Sequence, residues 1–460
     1  MLSSIHPENL SSALSDMRNA AAKPADTAEA LLDILKFIHN RTISIDVSGA
    51  DQVALRETAP LAMQAIDEIY YELRRRLSEW KDKDIFTAAN QHALREALRM
   101  MRYAKDILGE IWIDHDRIDE NDPLYRAFSG RYHNTNTHPD FSNTDAIAFQ
   151  SGDVILMRGS AHNSAAISMI GDIDSQFSHA ALVYIDPDGK HWVIESLIHI
   201  GAHITPLENS LRAGAARALV FRHSDAALAA EAAKFMHDHV ARSRDGRKPP
   251  ILYDFSMRLD GGRNLFCSKL IRQAFIAASK GRLKLPAHCT VLGMKNRDFF
   301  KRIGVRTRHT FAPGDMELEP EFDLIAEWRD YRLTSRLRLQ DVTMAKFFEW
   351  MDTRDYTFRE TLVIRLVSWF GRLSGQLSET AKSLIEDVVP RVPRNMKRRT
   401  IAAVAMLHKT ADPVVKALEE LEDQHIRETG LPMPPQMIRH HLEEMRKETN
   451  GHIGYLRPQG

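Results

Sequence analysis

Cysteine is scarce in this chain, with two in 460 residues. That excludes a disulfide framework and points to a reducing compartment. Net charge is absent as well: 62 Lys plus Arg balance 62 Asp plus Glu, so no overall field draws the chain to nucleic acid or to an acidic partner. No window holds the roughly 18 consecutive apolar residues needed to cross a bilayer. The opening Met-Leu-Ser-Ser-Ile-His-Pro-Glu has neither the basic nor the apolar region of a secretory signal. No internal repeat or low-complexity tract is present. What remains is the composition of an ordinary folded, cytoplasmic protein, 43% hydrophobic, 27% charged and 8% aromatic, long enough for about two to four domains.

The apolar periodicity divides the chain. Residues 1–120 read as a helical N-terminal region: Asp26-Thr-Ala-Glu29 fits a capping box, and Leu31, Leu35 and Ile38 follow as a stripe. A helix from about Pro60 to Trp80 and another from about Asn90 to Ile111 repeat the three-and-four spacing and predict an antiparallel helical hairpin. Residues 121–149 are polar and aperiodic, a linker whose His133 and His138 lack metal-ligand spacing to any partner. From Ser151 the period becomes that of strands, with Asp186-Pro-Asp-Gly189 as a turn between two of them and a helix from Asp225 to about Arg242. After Ile276 only helix is expected, so residues 301–460 read as a helical C-terminal region following a core over 150–300. Strands followed by helices, without strict alternation, predict an α+β fold with a mostly antiparallel sheet.

Within the core, Asn264-Leu-Phe-Cys-Ser-Lys-Leu-Ile-Arg-Gln-Ala-Phe275 places Cys267 at the start of a helix whose Leu270, Ile271, Ala274 and Phe275 form a core-facing stripe. Unpaired N–H groups and the positive end of the dipole favour a thiolate there. A nucleophile needs a base, and the base a polar group to orient it. His179 opens one strand and Glu195 lies on its hairpin partner. An odd-length loop puts both side chains on one face and a two-residue loop puts them on opposite faces; the turn sequence permits either.

Gly152-Asp-Val-Ile-Leu, Phe177-Ser-His-Ala-Ala-Leu-Val183, Val193-Ile-Glu-Ser196, Tyr253-Asp-Phe255 and Phe266-Cys-Ser-Lys-Leu-Ile271 occur in this order. Together they resemble the permuted papain-like amidases of the YaeF/YiiX type, relatives of the NlpC-type cysteine hydrolases and of lecithin:retinol acyltransferase-like proteins. The resemblance covers about residues 150–280. It implies a circularly permuted papain-like core, in which the histidine strand precedes the cysteine helix, flanked by helical segments. It also implies Cys267 as nucleophile, His179 as general base, Glu195 as the residue orienting the imidazole and Tyr253 in support. No metal or cofactor is expected.

Several readings stay open. His199 and His203 share a spacing compatible with metal binding but show no third ligand, and Cys289 reads as a bystander. The apolar helix over 361–373, with Trp369 and Arg365, reads as core of a helical subdomain ahead of a peripheral membrane contact. A cysteine hydrolase acting on a peptide-like amide or a lipid ester stands first. A lipid acyltransferase or phospholipase on the same fold, or a non-catalytic helical interaction protein, stands second. The lining of the groove between Cys267 and His179 separates amide from lipid substrates.

Overall fold

The computed structural model describes residues 7–45, 47, 51–113, 135–138, 147–212, 215–293, 297–361, 364 and 395–459. Helices come first: α1 (Pro7–Ala22), α2 (Ala28–Ile43), α3 (Gln52–Arg75), α4 (Leu77–Asp82) and α5 (Ala88–Trp112). Side-chain caps fix their starts. Thr27, one residue beyond the expected Asp26, accepts from the Ala30 N–H at 3.2 Å. Asp51 accepts from the Val53 N–H at 2.9 Å, so α3 begins at Gln52 and runs through Pro60 instead of starting there. A proline donates no N–H, so the Arg56 carbonyl one turn back loses its helical partner. The stripes read from the sequence, Leu31 with Leu35, Ile66 with Ile69 and Leu94 with Leu98, are buried in one apolar cluster that also takes in one face of the sheet.

The sheet has seven strands in the order β1 (Thr135–Thr137), β9 (Phe322–Arg329), β6 (Ala215–His223), β2 (Val154–Gly159), β3 (His179–Ile185), β4 (His191–Leu197) and β5 (Gly201–Pro206). Every neighbouring pair is antiparallel. Helix and antiparallel sheet therefore combine in one α+β architecture. Between these strands the chain forms α6 (His162–Met169), α7 (Leu207–Arg212), α8 (Ala226–Arg244), α9 (Cys267–Ala278), the short pair β7 (Thr290–Val291) and β8 (His309–Thr310), and α10 (Asp298–Ile303). Alternation along the strands covers both faces. Ala180, Leu182, Ile194 and Phe221 join the cluster of α8 and α9, while Ala181, Val183, Val193 and Val220 form a second core with Leu207.

β9 corrects the expectation of helix alone after Ile276. Its Phe-Asp-Leu-Ile-Ala-Glu-Trp-Arg carries Glu327 and Arg329 to full burial. These charges hide a central strand from hydropathy. They are affordable inside because α5 supplies partners: Lys105 reaches Glu327 at 3.2 Å and Asp67 at 2.7 Å, and Asp106 pairs with both Arg329 and Arg217. Beside them Arg102 binds Glu317 at 2.9 Å and Gln176 at 2.7 Å. Buried ions are tolerated only when paired in this way.

After the sheet come α11 (Tyr331–Thr353), β10 (Tyr356–Phe358), α12 (Arg398–Thr429), α13 (Pro435–Glu448) and β11 (Leu456–Pro458), which pairs with β10. They share an apolar core of their own that includes Phe347, Trp350, Met406 and Leu442 and reaches Ala165 of α6. Apart from Thr361 and Ile364, the stretch 361–373 lies outside the described residues. Among the described residues no helix is long and apolar enough to cross a membrane.

Candidate active site

Cys267 is the first residue of α9. The stripe of Leu270, Ile271, Ala274 and Phe275 is fully buried, and burial of each large apolar side chain is worth about 1.5–3 kcal/mol. That packing fixes the helix against β3 and β4. Two polar ties then fix its start. Ser196 Oγ donates to the Leu265 carbonyl at 2.6 Å. Lys269, itself buried, donates to Asp254 at 2.7 Å and to the Asp260 carbonyl at 2.7 Å. No side chain caps the helix at Phe266, so first-turn N–H groups remain available beside the thiol.

The hairpin question is settled by the register. Ile185 faces His191 and Leu182 faces Ile194, leaving the odd-length loop 186–190. The Asp186 carboxylate accepts from the Asp188 N–H at 3.0 Å, the Lys190 N–H at 2.9 Å and the Trp192 indole at 2.9 Å, and Gly189 takes φ +78°. His179 and Glu195 therefore share a face, and His179 Nε2 lies 2.6 Å from Glu195 Oε2. The next residue, Ser196, points to the opposite face, where it makes the tie to Leu265. One strand thus contacts the histidine with one residue and ties down the cysteine segment with the next.

Glu195 has a second partner that the sequence reading weighed only as a metal ligand. His203 of β5 stands directly opposite Glu195, with Nε2 3.3 Å from Oε1. Its Nδ1 is buried without a hydrogen-bond partner. The turn into β5 depends on Gly201 at φ +78°, where a Cβ would run into the Ile251 carbonyl. The signal for His203 was its position in β5, legible only once the β4–β5 register was known.

The electrostatics follow from this chain of contacts. Burial pushes the Cys267 thiol up, but the hydrogen bond and charge of His179, with help from Ser268 and the Ala180 N–H, hold it below its ordinary value. Burial opposes a proton on His179, yet Cys267 and Glu195 raise the imidazole to about 10. Burial would raise Glu195 too; His179 and His203 instead hold it down at about 2. The favoured state is thiolate, imidazolium and carboxylate, which suits a cysteine nucleophile.

Tyr253 is buried beside the thiol, and burial together with the Cys267 charge keeps its phenol protonated. Its carbonyl accepts from Asn395 Nδ2 at 2.7 Å, a tie from the C-terminal region. Two spaces meet at this point. A cleft of about 420 Å³ contains His179, Glu195, His199 and Ser210, and a chamber of about 120 Å³ adjoins it. Both are lined by Cys267, Tyr253, Ser178 and Asn163. Cys289 lines neither, and burial followed by the Asp315 charge raises its thiol. His138 packs edge-on against Tyr71, with ring centroids 4.3 Å apart, and His133 lies outside the described residues. Among the described residues no set of three His, Cys, Asp or Glu side chains is placed to hold a metal ion.

Residues 148–324 match the family model described as permuted papain-like amidase enzyme, YaeF/YiiX, C92 family. No curated protein and no solved structure matches the chain. At the level of the family, the match supports a hydrolase of amidase type.

Proposed function

We propose that the chain is a cysteine hydrolase built on a circularly permuted papain-like core, with Cys267 as nucleophile, His179 as acid and base, and Glu195 as the residue that orients the imidazole. The observation that carries this reading is that Cys267, His179 and Glu195 line one cleft, with His179 Nε2 2.6 Å from Glu195 Oε2. The thiolate attacks an amide or ester carbonyl, and the first-turn N–H of Cys267 stabilises the oxyanion. The tetrahedral intermediate collapses to a thioester as the bond to the leaving nitrogen or oxygen breaks, and the His179 imidazolium supplies the proton that the leaving group takes. Water then gives a proton to His179 as it adds to the thioester, and the carbon–sulfur bond breaks to release a carboxylic acid and the Cys267 thiolate, restoring the resting ion pair. Tyr253 supports the site by packing against the thiol.

The experiment is labelling of the full chain with a thiol-directed acyl-mimetic probe, with peptide mapping. One label at Cys267, abolished in His179→Ala, is the expected result. Equal labelling of both cysteines, or labelling of Cys267 that ignores His179→Ala, would overturn the reading.

A further inference from the structure

The chamber that shares Cys267 with the cleft, but not His179, has a composition unlike it. Apart from the Cys267 thiolate no charged side chain lines it; its wall includes Ile167, Phe255, Leu292, Ile303, Val404 and Leu407. The hydroxyls in that wall are turned to other protein groups. Thr400 donates to the Arg302 carbonyl at 3.0 Å, Thr310 to the Met257 carbonyl at 2.9 Å and Thr290 to Asp315 at 2.7 Å. Ser168 and Ser175 donate to the Ala165 and Phe177 carbonyls at 2.9 and 2.8 Å. What faces the space is hydrocarbon, except for Asn163, Ser178 and Tyr253, which the chamber shares with the cleft. A peptide strand entering it would bury amide groups with almost nothing to bond, at a cost of about 1–3 kcal/mol for each. A hydrocarbon chain meets no such penalty and gains from burial.

The reacting geometry assigns the two spaces to the two halves of a substrate. The leaving group departs beside His179, in the cleft. The acyl carbon becomes bonded to Cys267 Sγ, so the rest of the acyl group extends into whatever opens beyond the thiol. Resting on the hydrolase reading above, we infer that this chamber is an acyl-chain pocket, and that the substrate is an ester or amide of an aliphatic acid. Part of its wall comes from Met396, Thr400, Val404 and Leu407, at and within the start of α12. These residues lie outside the matched segment 148–324. The C-terminal region therefore sets chain-length selectivity, giving the helices after the sheet a function in recognition.

The test uses the full chain and two p-nitrophenyl esters, acetate and octanoate. For each methylene that enters the pocket, kcat/KM should rise about fourfold, the rate equivalent of burying one CH₂. Val404→Trp fills the chamber and should collapse the octanoate-to-acetate ratio. Because the ratio is taken on one preparation, a partly unfolded variant does not disturb it. A ratio at or below one, or a ratio that Val404→Trp leaves unchanged, overturns the inference. If neither ester is turned over, the hydrolase reading fails by itself, and the pocket is judged by calorimetry of N-methyloctanamide on Cys267→Ala. Binding that is lost in Cys267→Ala/Val404→Trp then supports the pocket, and absence of binding overturns it.

Discussion

On the side of α3 and α5 the sheet is met by charge: Arg102 on Glu317, Lys105 on Asp67 and Glu327, and Asp106 between Arg217 and Arg329, all buried. On the side of α10 and α12 the cysteine site is met by an uncharged chamber. Both sets of helices look alike as sequence, since each carries an apolar stripe and a charged face. Their junctions differ in kind. A paired network inside a protein holds one geometry, because any slip leaves an ion without its partner. An apolar wall specifies far less and can admit a ligand of variable length. The first junction holds the sheet; the second is where the proposed acyl chain would fit.

The largest expected effect is on the reactive side. Cys267→Ala should lower turnover by at least about ten-thousandfold while changing the unfolding free energy by about 1 kcal/mol or less. Turnover and denaturant midpoint measured on the same protein check it, and a variant that lost both would erase the division between the junctions. Glu317→Gln is the counterpart on the charged side. It leaves Arg102 short of its ionic partner, and breaking a buried pair costs about 3–5 kcal/mol. Urea unfolding should show that loss, while kcat/KM per folded molecule stays at the wild-type value. Unchanged stability would mean that the network holds nothing.

These variants also show what was legible beforehand. The start of α9 and the β3–β4 hairpin could be read because their signals are local: a stripe, a turn, a cysteine after a loop. The face shared by His179 and Glu195 could not be decided, since parity depended on a loop whose length Asp186 sets through its own hydrogen bonds. β9 was missed because Glu327 and Arg329 look solvated until Lys105 and Asp106 arrive from more than two hundred positions away. The chamber was beyond reach for the same reason, as its walls come from α6, from 290–313 and from α12. Non-local pairing decides both, and periodicity carries no trace of it.

A smaller effect separates the two histidines on Glu195. Glu195→Gln weakens a charge-assisted bond to His179 of a type worth about 1.5–3 kcal/mol, so kcat should fall about tenfold to a hundredfold. His203→Leu removes only the outer tie and should cost about tenfold or less. Steady-state rates on one substrate rank them. If His203→Leu were the more damaging, His203 and not Glu195 would be setting the imidazole.

The finest test uses the two cysteines, one at each junction. Cys289 borders the charged side: its neighbour His288 faces Arg95 of α5 at 3.2 Å. Its thiol is raised by burial and then by Asp315. Cys267, though more deeply buried, is held low by His179. The same residue type is thus pushed in opposite directions by its surroundings. At about pH 6 an ordinary thiol is almost wholly protonated, so iodoacetamide should label Cys267 alone. As pH rises past the ordinary thiol range Cys289 should join, late and slowly. The Cys267 rate should fall on the acid side only below its depressed pKa. On the alkaline side it should change as the pH passes about 10, where His179 gives up its proton, the pair titrating as a unit. In Glu195→Gln the loss of the carboxylate should move that alkaline change to lower pH, with no effect on Cys289. Rates mapped cysteine by cysteine across pH provide the check. Parallel profiles for the two thiols would show that the junctions do not impose different chemistry on them.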